Sequence, residues 1–293
     1  MNRHTIVGIG EVLWDIFPDS ARFGGAPANF SCSAAGLGRE QACVHLVSSI
    51  GKDDLGVRVM AALQSRRVDT SCVTSQDRPT GFVRVELDDS GSATYEFAAD
   101  TAWDNLTWSA ALAELAGRTD ACCFGTLGQR SEISQATIQT FVDATPAEAL
   151  RIFDVNLRPP FVTDAILLDS LKLANVLKLN DEELPVVAKL CGLTGTDETL
   201  LRQLSERFDL YTVALTRGPK GAVLLRDGHI SEHPGVKTTV VDTVGAGDAF
   251  TASLALGLLA GHALDIMNQQ ACEVASFVCS QPGATPELLK VRQ

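Results

Sequence analysis

Between Val240 and Phe250 the chain reads VVDTVGAGDAF. Gly245 and Gly247 flank Ala246, and Asp248 follows directly before an apolar run, the pattern of a tight turn feeding a buried helix. Such a turn aims several backbone N–H groups at one point, and the helix dipole adds partial positive charge there. Glycine lets backbone approach an anion closely, because no Cβ stands in the way. A phosphate held there would lie beside Asp248, which could accept a proton from an attacking hydroxyl. An anion cradle, a base for the nucleophile and a metal-bearing carboxylate are the parts that phosphoryl transfer needs. A capping role for Asp248 would explain the carboxylate but not the Gly-Ala-Gly before it.

Three further clusters stand where apolar runs end. RIFDVNLRP closes with Asp154, Asn156 and Arg158; VLKLNDEE with Lys178, Asn180 and Glu183; YTVALTRGPKG with Thr216, Arg217 and Gly218. Singly, each reads equally well as a helix cap or a turn. Together with VGAGD they describe a polar rim at the carboxyl ends of strands, where open α/β sheets collect their ligands. Competing motifs fail. GPKGAV spaces Gly218, Lys220 and Gly221 wrongly for a P-loop, GKDD lacks a hydroxyl after Lys52, and Leu13 stands where a dinucleotide-binding turn wants its third glycine. There is no HExxH or GxSxG.

The elements that must position these residues follow an α/β rhythm. A short apolar strand spans Thr5 to Gly10, a Gly-Gly turn feeds a helix of small residues from Gly24 to Gly36, and a strand runs from Ala42 to Ile50. GKDDLG then leads into a helix through Leu63. Thr80 to Asp88 and Ala93 to Phe97 alternate in hydropathy about a turn at Asp89-Ser90-Gly91, a β-hairpin too small for its own core and so expected to lie over something as a lid. After Ala121 the strands ACCFG, RIFDVN, VLKLN, YTVALT and AVLLR are separated by helical segments, and two apolar helices, Ala249–Ala260 and Asp265–Cys279, close the chain. The expectation is a doubly wound, mostly parallel sheet with helices on both faces, built from residues 1–10, 21–78 and 104–293, with a small β lid from 11–20 and 79–103.

Bulk composition narrows the function. A 293-residue chain with 45 % apolar and 20 % charged residues can fill a substantial core. Its net charge of −12 argues against nucleic-acid or anionic-membrane partners. The eight cysteines include no CxxC pair and most sit among apolar neighbours, which reads as reduced, buried thiols in a cytoplasmic protein. No apolar run suggests a signal peptide or a membrane span.

The separated motifs GEVLWD, GGAPANF, SIGKDDLG, DVNLR, KLNDEE, TRGPKG, DTVGAGDAF and GATPEL resemble, in order, those of the ribokinase-like (PfkB) carbohydrate kinases, and the resemblance covers essentially the whole chain. It implies a ribokinase-like fold and an ATP-dependent kinase using Mg²⁺. Asp248 matches the general base, and the amides of Gly245, Ala246 and Gly247 match the anion hole. Asp15, Gly25 and Asn29 match sugar-binding positions, and Arg158 a residue facing substrate or phosphate. Lys178, Asn180, Thr216, Arg217, Gly218 and Gly221 match the ATP side, with Asn180 and Glu183 organising Mg²⁺ through water. Many members bind a monovalent cation such as K⁺; Asp242 and, through its carbonyl, Val244 match that site. Cys272 stands where relatives often carry Asn or His near the adenine, and Pro282 where many carry a basic residue. Lids of this kind often pair between subunits, which implies a homodimer.

GGAPANF, FGTLGQRS and DVNLRPPF resemble fructokinases most closely, so the expected acceptor is the 6-hydroxyl of D-fructose. Ribose, 2-keto-3-deoxygluconate and a nucleoside remain alternatives, because hydroxyl-binding Asp and Asn suit any polyol. A kinase-like binding protein without catalysis is the reading from another class. The intact Asp248, glycines, Asn180 and Glu183 argue against it.

Overall fold

The computed structural model describes residues 3–87 and 93–288; the turn expected at Asp89-Ser90-Gly91 lies outside the described residues. From the N-terminus, β1 (His4–Ile9) is followed by β2 (Leu13–Phe17), β3 (Ser20–Gly24), α1 (Ala26–Gly38), β4 (Ala42–Gly51), α2 (Asp54–Ser65) and β5 (Val73–Gln76). Then come β6 (Gly81–Leu87), β7 (Ala93–Phe97), α3 (Ala110–Ala116), β8 (Ala121–Phe124), α4 (Glu132–Asp143), β9 (Leu150–Asp154) and α5 (Asp164–Leu173). The chain ends with β10 (Val176–Asn180), α6 (Glu183–Leu190), α7 (Asp197–Phe208), β11 (Thr212–Thr216), β12 (Ala222–Arg226), β13 (His229–His233), α8 (Ala246–Leu259) and α9 (Leu264–Cys279).

Nine strands form the main sheet in the order β13-β12-β11-β10-β9-β8-β1-β4-β5. Neighbours from β5 to β11 run parallel, and β12 and β13 complete one edge antiparallel. Strands such as ACCF and VLKLN are buried along almost their whole length, because helices cover both faces. One core packs residues of α1, α2, α8 and α9, among them Phe30, Leu63, Phe250 and Val274, against the sheet. The opposite core takes Leu112, Phe141, Leu171, Val187 and Leu204 from α3 to α7. Small residues fit α1 and α8 together: Ser31, Ala34, Ala249, Ala252 and Ala255 are all fully buried.

The small sheet has the order β3-β2-β6-β7. Because β2 and β3 pair as a hairpin with Leu13 opposite Gly24, this sheet continues past Ser20 as far as Gly24. Leu13 and Val83 pack with Trp103 and Leu127, joined by Phe97 and Phe161. Leu127 follows β8 and Phe161 follows β9, so the small sheet is seated over the carboxyl ends of those strands. A buried pair fastens its base. Arg130 Nε and Nη2 donate to Asp104 Oδ1 and Oδ2 at 2.6 and 2.7 Å, with the guanidinium 4.1 Å from the Trp103 ring centroid.

The eight cysteines are free thiols. Among the described residues, no helix is long and apolar enough to cross a membrane.

Candidate active site

The site is built around the start of α8. Gly245 caps it with φ +81°, a left-handed conformation, and a Cβ there would lie 2.3 Å from the Ala284 carbonyl oxygen. A Cβ on Gly247 would lie 3.1 Å from Lys178 Nζ. A side chain at either position would therefore meet protein as well as crowd an anion held at the turn. The opening amides of α8 have no acceptor within their own helix, as in any helix. Only a long contact, Ala246 N to Thr243 O at 3.4 Å, reaches back from them.

Asp248 lies in this first turn and is 8 % exposed. Its carboxylate does not cap its own helix. Asn29 Nδ2, in the first turn of α1, donates to Asp248 Oδ2 at 2.9 Å, and Asn156 Nδ2, just beyond β9, donates to Oδ1 at 3.5 Å. Asn156 adopts φ +45°, a conformation that asparagine tolerates better than most residues. Burial pushes the Asp248 carboxyl up to about 6, reinforced by the Asp154 charge and opposed by the Asn29 hydrogen bond, Lys178 and Arg158. A carboxyl with that affinity is ionised at neutral pH yet basic enough to take a proton.

Beneath the turn lies a buried charged network. Lys178 Nζ donates to Asp154 Oδ1 at 2.9 Å, and Thr251 Oγ1 donates to Asp154 Oδ2 at 2.9 Å. Burial alone would lower the affinity of the Lys178 amine for its proton, but the Asp154, Glu183 and Asp248 carboxylates together raise it. The amine is thus held protonated directly under Gly247.

On the side facing the small sheet, Gly25 caps α1 with φ +103°, and a Cβ there would meet the Glu11 carbonyl oxygen at 2.6 Å. Asp15 is carried by β2, and burial raises its pKa against the pull of Arg158 and Arg22. Arg158 is exposed, and its charge acts on Glu11, Asp15 and Asp248 alike. The structure thus brings Asp15, Asn29, Arg158 and Asp248 into one electrostatic neighbourhood.

Glu11, whose individual role sequence reasoning missed, belongs to it. It is 4 % exposed, its Oε1 accepts from Ala26 N at 3.2 Å, and its Oε2 has no hydrogen-bond partner. Burial pushes this carboxyl up to about 7. The only sequence signal was an acid directly after the glycine that ends a strand.

Asp242 Oδ1 accepts from Val244 N at 3.0 Å, while Oδ2 accepts from Gly283 N at 3.2 Å and from Arg22 Nη1 of β3 at 3.0 Å. A carboxylate holding three donors, one of them cationic, offers little to a monovalent cation unless Arg22 leaves.

On the other side of the turn, Asn180 Oδ1 accepts from the Glu182 and Glu183 amides, and Glu183 accepts from Asn180 N at 2.9 Å and Leu157 N at 3.0 Å. Glu183 is 4 % exposed, and its pKa is raised by burial. These oxygens fit the ordering of metal-bound water better than direct ligation, since each already accepts a hydrogen bond. Thr216 ends β11, and its Oγ1 leans toward Leu179 O at 3.4 Å. Arg217 donates to Glu232 at 2.6 Å, and its Nε is buried without a partner. Gly218 and Gly221 adopt φ +53° and +81° and shape the turn that follows. Cys272, on α9, is 6 % exposed with its thiol directed at Asn268 Oδ1, so only an edge of it is open to a ligand.

Known proteins resemble this chain over most of its length. The pfkB family carbohydrate kinase model matches residues 18–290. Fructokinase of Salmonella typhimurium is 29 % identical over 86 % of this chain and 83 % of its own. Fructokinase-2 of Zea mays is 29 % identical over 98 % of this chain and 91 % of its own. A sugar kinase from Pyrococcus horikoshii, solved in complex with ATP, superposes with a TM-score of 0.79 at 26 % identity, covering 96 % of this chain and 94 % of that one. With a buried carboxylate at a glycine-opened helix and this likeness along nearly its whole length, the chain belongs to the pfkB family of carbohydrate kinases, enzymes that use ATP.

Proposed function

We propose that this kinase transfers the γ-phosphoryl group of ATP to the 6-hydroxyl of D-fructose, with Asp248 as general base. The observation that carries the reading is the placement of Asp248: buried, tied to Asn29, and in the first turn of a helix whose opening amides have no acceptor within the helix. The attacking hydroxyl gives its proton to Asp248 as its oxygen bonds to the γ-phosphorus. The bond from that phosphorus to the bridging oxygen breaks, and ADP leaves with the electron pair. Charge on the transferring group is met by the amides of Gly245, Ala246 and Gly247, backed by the Lys178 ammonium beneath them.

Asp15, Gly25, Asn29 and Arg158 would hold the sugar, Asp15 entering on the small sheet. Lys178, Asn180, Thr216, Arg217, Gly218, Gly221 and the exposed edge of Cys272 would border ATP. Asn180 and Glu183 would hold Mg²⁺ through its waters, and the ion, when bound, neutralises phosphate charge. Fructose is favoured over other polyols by GGAPANF and by the fructokinase relatives.

The test is an acceptor screen with coupled ADP detection, covering fructose, ribose, 2-keto-3-deoxygluconate and adenosine, with and without Mg²⁺ and K⁺. Fructose should give the highest kcat/KM, with phosphate on its 6-oxygen by NMR. Greater efficiency with another acceptor would overturn the choice of sugar, leaving the role of Asp248 standing.

A further inference from the structure

The geometry points to a second site, away from the kinase centre: Cys43, His45 and Asp69 form a binding site for a divalent transition metal of the zinc class. Cys43 and His45 are two apart on β4 and so project from one face of the sheet. Asp69 is brought to them by backbone pairing, since Asp69 N donates to Val44 O at 2.7 Å, Leu46 N donates to Asp69 O at 3.2 Å, and His45 and Asp69 form a parallel bridge. One ligand atom from each of the three residues lies within 4.8 Å of the others.

One pair of ligand atoms has the spacing of a small tetrahedral ion: His45 Nδ1 stands 3.5 Å from Asp69 Oδ1. Cys43 Sγ stands 3.5 Å from the other ring nitrogen, Nε2, so the sulfur has to swing toward Nδ1 to join them. Zinc bonds of about 2.0–2.2 Å to nitrogen and oxygen place two ligands of a tetrahedron about 3.4 Å apart. A second observation singles out the ligand nitrogen. His45 is 3 % exposed, yet its Nδ1 has no hydrogen-bond partner, an unusual state for a buried ring nitrogen. Cys43 Sγ lies within 4.8 Å of the other two ligand atoms, and the half-buried side chain would turn its sulfur to the third corner on binding. Asp69, whose side chain is 40 % exposed, leaves the fourth corner open to water. Arg118 opposes a dication here, because its charge reaches both His45 and Asp69.

This cluster lies near the start of β4, whereas the kinase site lies beyond the opposite, carboxyl ends of the strands. It joins the sheet to the segment leading into edge strand β5. A metal here would therefore fasten that segment and leave turnover alone.

The test uses the full chain, stripped with a chelator and titrated with Co²⁺ in the absence of ATP and sugar. One equivalent should give thiolate-to-cobalt charge-transfer absorption, which Zn²⁺ abolishes by displacement. Zn²⁺ at a hundredfold excess over its Kd should raise Tm by roughly 5 °C or more. Cys43→Ser should lose the charge-transfer band while keeping sugar-dependent ADP formation, which shows that it folds. His45→Gln should lose tight binding, and Arg118→Ala should bind Co²⁺ several-fold more tightly. No charge-transfer band in the parent protein, a band that survives Cys43→Ser, or unchanged affinity in Arg118→Ala would overturn the proposal.

Discussion

Removing the hydrogen bond from Asn29 to Asp248 should move the acidic limb of the pH–rate profile upward. Asp248 must be ionised to accept the hydroxyl proton, so kcat/KM falls as pH drops through its pKa, about 6 in the intact site. Asn29 Nδ2 stabilises the charged form from 2.9 Å. A hydrogen bond to a charged group is worth roughly 1.5–3 kcal/mol, which at about 1.4 kcal/mol per pKa unit is roughly one to two units. The Asn29→Leu variant should therefore place the limb between about pH 7 and 8. Leucine has the same branching and number of side-chain heavy atoms, and because Asn29 Oδ1 has no partner the change also removes an orphaned buried acceptor, so the fold should survive. Asn156, at 3.5 Å, contributes less, and Asn156→Ala should shift the limb by under a unit. The assay is coupled ADP formation from pH 5 to 9 at subsaturating fructose, reading the position of the limb and not the height of the curve. Glu11, pushed up to about 7, is the neighbouring group that could be mistaken for the base, so the profile is repeated in Glu11→Gln. A limb that stays near pH 6 in Asn29→Leu, or one that disappears in Glu11→Gln, would refute the assignment.

Gly245→Ala should lower stability by roughly 2 kcal/mol or more, since φ +81° disfavours any side chain and the Ala284 carbonyl lies 2.3 Å from the new carbon; thermal denaturation reads it, and an unchanged Tm would contradict the geometry. Asp248 and Glu11 both have folded pKa values raised above their ordinary ones, so the stability they contribute is present at low pH and lost as pH rises through about 6 and 7. Tm should accordingly fall between pH 5 and 8, and Glu11→Gln should flatten that fall; a Tm that rises over the interval would be inconsistent with two buried carboxyls. Arg22→Ala frees Asp242 from its cationic partner and should make turnover more responsive to K⁺ than in the parent enzyme. Equal K⁺ response in both would remove Asp242 from any cation site.

What the sequence made legible was what single short motifs encode. A glycine pair before a carboxylate announces a helix start, and alternating apolar residues from Thr80 to Asp88 announce a strand of the small sheet. Long-range partnership was not legible. Asn29 and Asp248 are 219 positions apart and meet only because α1 and α8 pack on the same face of the sheet. The closeness of Lys178 to Gly247 was hidden similarly, since the lysine reaches it from β10. Ser20 to Gly24 alternates too weakly to mark the strand that completes a hairpin with β2. Glu11 carried only the signal of an acid after a strand-ending glycine, and its character comes from burial between the start of α1 and the loop at Gly128. Cys43, His45 and Asp69 match no ligand spacing along the chain, because a strand-to-loop bridge, which no local motif records, brings them together.

The most direct test of the central claim is single-turnover phosphoryl transfer by Asp248→Asn with ATP, Mg²⁺ and fructose. Loss of the base should slow the chemical step by about 10²- to 10⁴-fold, while ATP binding and Tm stay close to those of the parent enzyme. Transfer at a near-parental rate by the folded variant would mean that another group takes the proton.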